Sequence, residues 1–179
     1  MNRDHIIHEI KQTAKVNDGK PLRRRRRNLD SPYLAIGRLA ANWAHIEYEL
    51  DHCLVLIYAN CQGELVKNNC PIAFKKKLKL FKMALNTEKR LSALKTDGLK
   101  IAAKMSRLVQ HRHNALHGTI WKFNPSTIIF AKREWGGKVP THRFFSVKVA
   151  EIEKRGKAME DFASELGFFV AQFDSAFGD

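Results

Sequence analysis

Ile36, Leu39, Trp43, Ile46, Leu50, Cys53 and Ile57 recur at alternating spacings of three and four. That interval places side chains on one face of an α-helix. Ser31 followed by Pro32 supplies a cap and a first-turn residue, so the pattern predicts a long helix from that point, able to close a bundle or to meet a second copy. Phe74, Leu78, Phe81 and Leu85 repeat the logic after Pro71, with Leu91 and Leu94 either continuing that helix or forming a separate turn. Asp97 reads as the cap of a further helix whose row is Ile101, Met105 and Leu108, with Gly118 just past its end.

Beyond Gly118 the period changes. Ser126 to Lys132 and His142 to Val147 are rich in β-branched and aromatic residues around Gly136-Gly137, which predicts a small hairpin. Ile152, Met159, Phe162, Leu166, Phe169 and Phe173 then mark a last helix from about Val149 to Phe177. With a short helix near Asp4 to Val16, the expected fold is mainly α: an up-and-down bundle of four to five helices with a small β-hairpin before the last.

At 179 residues, 44% of them hydrophobic, the chain can build one ordinary core. Its net charge of +14 adds a preference for polyanions, because neutralising phosphates releases condensed counterions. RNA, DNA and acidic membranes all fit that preference. The charge is local: Lys67 to Arg107 is strongly basic, whereas Glu151 to Asp179 is net acidic. Lys75, Lys76, Lys77, Lys79 and Lys82 surround the Phe74 row, giving an amphipathic helix with a cationic outer face. Arg23, Arg24, Arg25, Arg26 and Arg27 form an unbroken run in a stretch too poor in apolar residues to fold alone, which reads as a loop or arm suited to phosphate contact or to solubility.

Three cysteines without metal-type spacing indicate reduced thiols. On a continuous helix Cys53 and Cys61 stand about 12 Å apart, too far for a disulfide. The N-terminus lacks a signal-like apolar core and the run Cys53 to Ala59 is too short for a bilayer, so a cytoplasmic protein without membrane association is expected.

Candidate chemistry sits in Gln110 to Gly118, QHRHNALHG. Arg112 is the next position on the Ile101, Met105, Leu108 row, and a guanidinium there is costly unless it is paired or opens onto a cleft. His113 and His117 lie four apart at the helix end, where the carbonyl dipoles favour imidazolium and poise His117 for proton transfer. Arg112 can give two parallel hydrogen bonds to phosphate oxygens. Such a pair suits attack of a ribose 2′-hydroxyl on the adjacent phosphate. His111, His113 and His117 also have zinc-compatible spacing, but no nearby acid or cysteine completes a set and HExxH is absent, so no metal is expected.

Arg112, the polar His113 directly after it and His117 after four intervening positions resemble the diagnostic motif of the HEPN superfamily, and Gly118 follows as it often does there. The helix IGRLAANWAHIEYELDHCL is similar to one in related bacterial proteins, with Trp43 and Glu47 facing the motif. The resemblance implies a HEPN-like helical domain over 31–179, preceded by the basic N-terminal helix or arm of residues 1–30 that the composition marks. It further implies a homodimer with two motifs in one cleft, and metal-independent, cofactor-free endoribonuclease chemistry in a toxin or phage-defence setting, with an antitoxin or other regulatory protein as a further partner. Arg112 and His117 would be catalytic and His113, Asn114 and Glu47 supporting, with Glu47 holding Arg112. Arg23 to Arg27, Lys75, Lys76 and Lys79 would bind RNA. The alternative is a non-catalytic RNA- or nucleotide-binding or protein-interaction module of the same fold.

Overall fold

The computed structural model describes the backbone of residues 22–116, 118–134 and 141–178 and the side chains of 32–112, 118–133 and 141–178. The Asp4 to Val16 helix, the Gly136-Gly137 turn and His117 lie outside these. The described residues form a mainly helical fold: α1 (Leu22–Asn60), α2 (Phe74–Thr87), α3 (Lys95–Leu116) and α4 (Val149–Ser175), with an antiparallel sheet of β1 (Thr119–Phe123), β2 (Thr127–Glu134) and β3 (Thr141–Lys148) before α4. No described helix is long and apolar enough to cross a membrane.

Helix α1 is longer than its start signal implied. It begins at Leu22 and runs 39 residues with Pro32 inside it, so the arginine run is helical backbone rather than a loop. Leucine and arginine are good helix formers, and a proline removes one hydrogen bond without forbidding the helical φ. Pro32 is itself buried. From Ala35 onward the apolar row points into the core: Leu39, Trp43, Ile46, Leu50, Cys53 and Ile57 are all buried, while Ile36 lies only partly so at its edge. Each large side chain on this row contributes about 1.5–3 kcal/mol by leaving water.

The row packs chiefly on α4, whose Ile152, Met159, Phe162, Leu166, Phe169 and Phe173 are all buried as the periodicity predicts. The two helices come close at Gly156, where a Cβ would stand in ordinary van der Waals contact, 3.8 Å from the Leu39 main chain. Asn42 Nδ2 donates to the Gly156 carbonyl at 2.9 Å across that contact.

Helix α2 starts at Phe74, after Pro71, and Leu91 lies in a separate 3-10 segment, Lys89–Leu94, that runs straight into α3. Lys95 is already helical, so Asp97 falls inside the first turn of α3 instead of capping it, and pairs with Lys100 at 2.8 Å. Gly98 presses against α2 and α4, since a Cβ would meet Leu85 at 2.6 Å and Phe169 at 3.0 Å. Arg90 in the 3-10 segment ties three ends together: it donates to the Asn60 carbonyl at 2.7 Å and to Glu88 at 3.0 Å, and lies 4.6 Å over the Phe177 ring.

The expected hairpin is present as β2 and β3, paired from Thr127↔Lys148 to Glu134↔Thr141. β1 is an additional strand that the sequence pattern did not reveal. It is five residues long with a register shift between Ile120 and Lys122, which breaks its alternation. Ile128 and Phe130 are buried, with Ile120, Phe123, Phe145 and Val147 packed beside them, so one sheet face closes the core and the other faces outward.

Candidate functional site

The site is built on Trp43. One turn into the buried row of α1, its indole is 1% exposed and meets the Phe74 ring of α2 edge-on at 4.9 Å. The Arg112 guanidinium reaches the same ring from α3, with Cζ 6.0 Å from its centroid, near the outer limit of a cation–π contact. Arg112 continues the Ile101, Met105, Leu108 row as it emerges from the core: those three are 5%, 0% and 9% exposed, and the Arg112 side chain is 28% exposed. The charge therefore keeps a wet edge while its flank is covered.

Glu47, one turn beyond Trp43 on α1, carries the expected countercharge. Its Oε2 stands 3.9 Å from Arg112 Nη2, and both side chains are 28% exposed. That separation is an ion pair, longer than a direct hydrogen bond. A further turn along, Asp51 accepts from Lys77 of α2 at 2.7 Å. Two acids on one face of α1 thus draw in one cation from each neighbouring helix, a pairing across α1 and α2 that no local spacing signals.

Lys75, Lys76 and Lys79 are exposed, as a cationic outer face requires. They open α2 at its N-terminus, where the first turn holds no acid and Ala73 offers no side-chain cap. Lysines at the positive end of a helix dipole repel it, and an anion relieves both. Phe74 links this end of α2 to Trp43 and hence to Arg112.

On the other side, His111 packs toward α4. Burial holds its pKa below the usual histidine range, the nearby Arg155 adds to that and Glu151 opposes it. Arg155 Nε donates to Glu151 at 3.0 Å, so this corner already holds an ion pair. A histidine so placed is biased toward its neutral form.

Helix α3 extends to Leu116, so its last turn carries the motif, and β1 begins at Thr119 directly beyond Gly118. The side chains of His113 and Asn114, the whole of His117 and the side chains of Arg23 to Arg27 lie outside the described residues. Among the described residues, no three His, Cys, Asp or Glu side chains converge to hold a metal ion.

Helix α1 also presents a second, outward row. Leu34, Ala41, Tyr48 and Val55 recur every seven residues with Gly37 and Ala44 between them, and all six are exposed. Leu34, Tyr48 and Val55 are more than half exposed. A seven-residue apolar repeat is the pattern by which one helix meets another. Glu47 borders this row, so the Arg112 ion pair lies at its margin. Comparison with protein-family models, curated proteins and solved structures returns no match to this chain.

Proposed function

We propose that the chain is a metal-independent endoribonuclease of the HEPN type, acting as a homodimer in the cytoplasm. The observation that carries this reading is Arg112, a half-buried guanidinium held over Trp43 and beside Glu47 in the last turns of the helix that leads into His117. A cation fixed by its neighbours costs little reorganisation when charge develops on a phosphate beside it.

In the proposed reaction a ribose 2′-hydroxyl attacks the adjacent phosphorus and gives its proton to one His117. Arg112 stabilises the crowded phosphoryl oxygens. The P–O5′ bond then breaks, with the 5′-oxygen taking a proton from the second histidine of the dimer, to leave a 2′,3′-cyclic phosphate and a free 5′-hydroxyl. Each chain offers one Arg112 and His117 pair, so a symmetric dimer supplies two of each. The outward apolar row of α1, bordered by Glu47, supports a second copy packing there. His113 and Asn114 are assigned to orienting the substrate, and Lys75, Lys76, Lys79 and Arg23 to Arg27 to its phosphates. The toxin or phage-defence setting, and an antitoxin or other regulatory partner, rest on the family resemblance.

The test is total RNA incubated with wild-type protein, Arg112→Ala and His117→Ala in excess chelator. Wild type is expected to cut, and each variant to lose about 100- to 10,000-fold in rate, the range general acid–base catalysis supplies. RNA with a 2′-deoxy residue at the scissile position is expected to resist. Identical fragment patterns from all three proteins would remove the proposal.

A further inference from the structure

The outer face of the sheet carries two exposed aromatic rings that the core does not use. Trp121 is 50% exposed and Phe144 is 45% exposed, and their rings meet edge-on at 5.5 Å. They come from the two edge strands and close over the central one at Ala131, which pairs with Phe144 and is 9% exposed although it faces outward. A larger residue at Ala131 would separate the rings. Trp121 occupies the register shift of β1, and such an irregularity redirects a side chain out of strict alternation.

Cations share this face. Lys122, Arg133 and Lys148 are exposed, and the register puts them on this same outer face with Ile129, Ala131 and Thr127. Glu134, at the end of β2, is the one acid in the described strands. Exposed aromatics alone would suit many partners, but aromatics on a basic face suit unpaired bases, whose flat faces stack while their phosphates meet the cations. A duplex keeps its bases stacked on one another and cannot use the rings.

We infer that this face is a binding platform for single-stranded RNA. The inference rests on the ribonuclease reading for its choice of RNA, and it names the substrate class of that enzyme as unpaired strand. Only His117 and Gly118 separate the motif helix from β1, so the platform adjoins the motif in sequence.

The experiment uses a labelled single-stranded oligoribonucleotide with 2′-O-methyl riboses throughout, which cannot be cut, and its duplex as control. Trp121→Ala and Phe144→Ala are each expected to weaken single-strand binding about tenfold, the scale of one lost base–ring stack, with duplex binding unchanged. Trp121→Phe is expected to keep the affinity and abolish the fluorescence quenching that stacking causes, which decides the matter even if an alanine variant fails to fold. Unchanged affinity in the folded variants, equal losses on duplex, or no quenching in wild type would overturn the platform, as would variants that change only self-association. Cleavage of unmodified RNA is scored separately. Platform-dependent binding without cleavage by wild type sinks the nuclease and spares the platform; cleavage with undiminished binding by the variants does the reverse.

Discussion

Glu88 shows how much one carboxylate can be asked to do. Hydrogen bonds from the Arg90 side chain and backbone hold its pKa at about 2, below its ordinary 4.5. The same group accepts from Cys61 Sγ at 3.4 Å, and burial together with that carboxylate pushes the thiol up to about 11. Because the folded-state pKa is depressed, the stabilisation is fully present above pH 4.5 and is lost as the pH falls toward 2. The thermal midpoint is therefore expected to fall across that window in wild type and to fall less in Glu88→Gln, as followed by circular dichroism; parallel curves would contradict the assignment. His111 and Arg112 differ though adjacent in sequence, the imidazole pushed toward its neutral form by burial and by Arg155, the guanidinium paired with Glu47.

At the level of elements, α1 is a two-sided helix. Its inner row builds the core and its outer row, Leu34, Ala41, Tyr48 and Val55, offers the apolar surface of a partner helix. Tyr48, 67% exposed, stands mid-row. If the proposed dimer forms on this row, Tyr48→Arg is expected to turn it into a monomer in sedimentation equilibrium while leaving the melting temperature within a few degrees, because no core contact is removed. A dimer that persists would move the interface elsewhere. Periodicity made α1, α2, α3 and α4 legible, since a buried helix row repeats over many turns and each repeat adds signal. It failed on β1, where five residues and one irregular position give too few repeats to read. It also misjudged the arginine run, because low apolar content argues against independent folding but not against extending a helix already anchored downstream. Arg112 was legible as a charge on a core row. Glu47 beside it entered through the family resemblance, and Asp51 with Lys77 stayed hidden because their separation in sequence obeys no period.

For the molecule as a whole the net charge of +14 sets how it meets a polyanion. Arg112, Lys75, Lys76, Lys79, Lys122, Arg133 and Lys148 form the cationic set assigned to substrate among the described side chains. Seven neutralised phosphates at about 0.7 each give a slope near −5 for log affinity against log salt on single strands. A slope near zero by fluorescence anisotropy would mean that phosphates contribute little. The extensive contact between α1 and α4 has a consequence during synthesis. Asn42 and Gly156, bonded across that contact, are 114 residues apart. At about 5–20 residues per second a ribosome needs on the order of ten seconds to bridge that interval. Throughout it Leu39, Trp43 and Ile46 have no α4 to cover them, so a nascent chain halted before α4 offers chaperones a greasy ridge and holds no finished core.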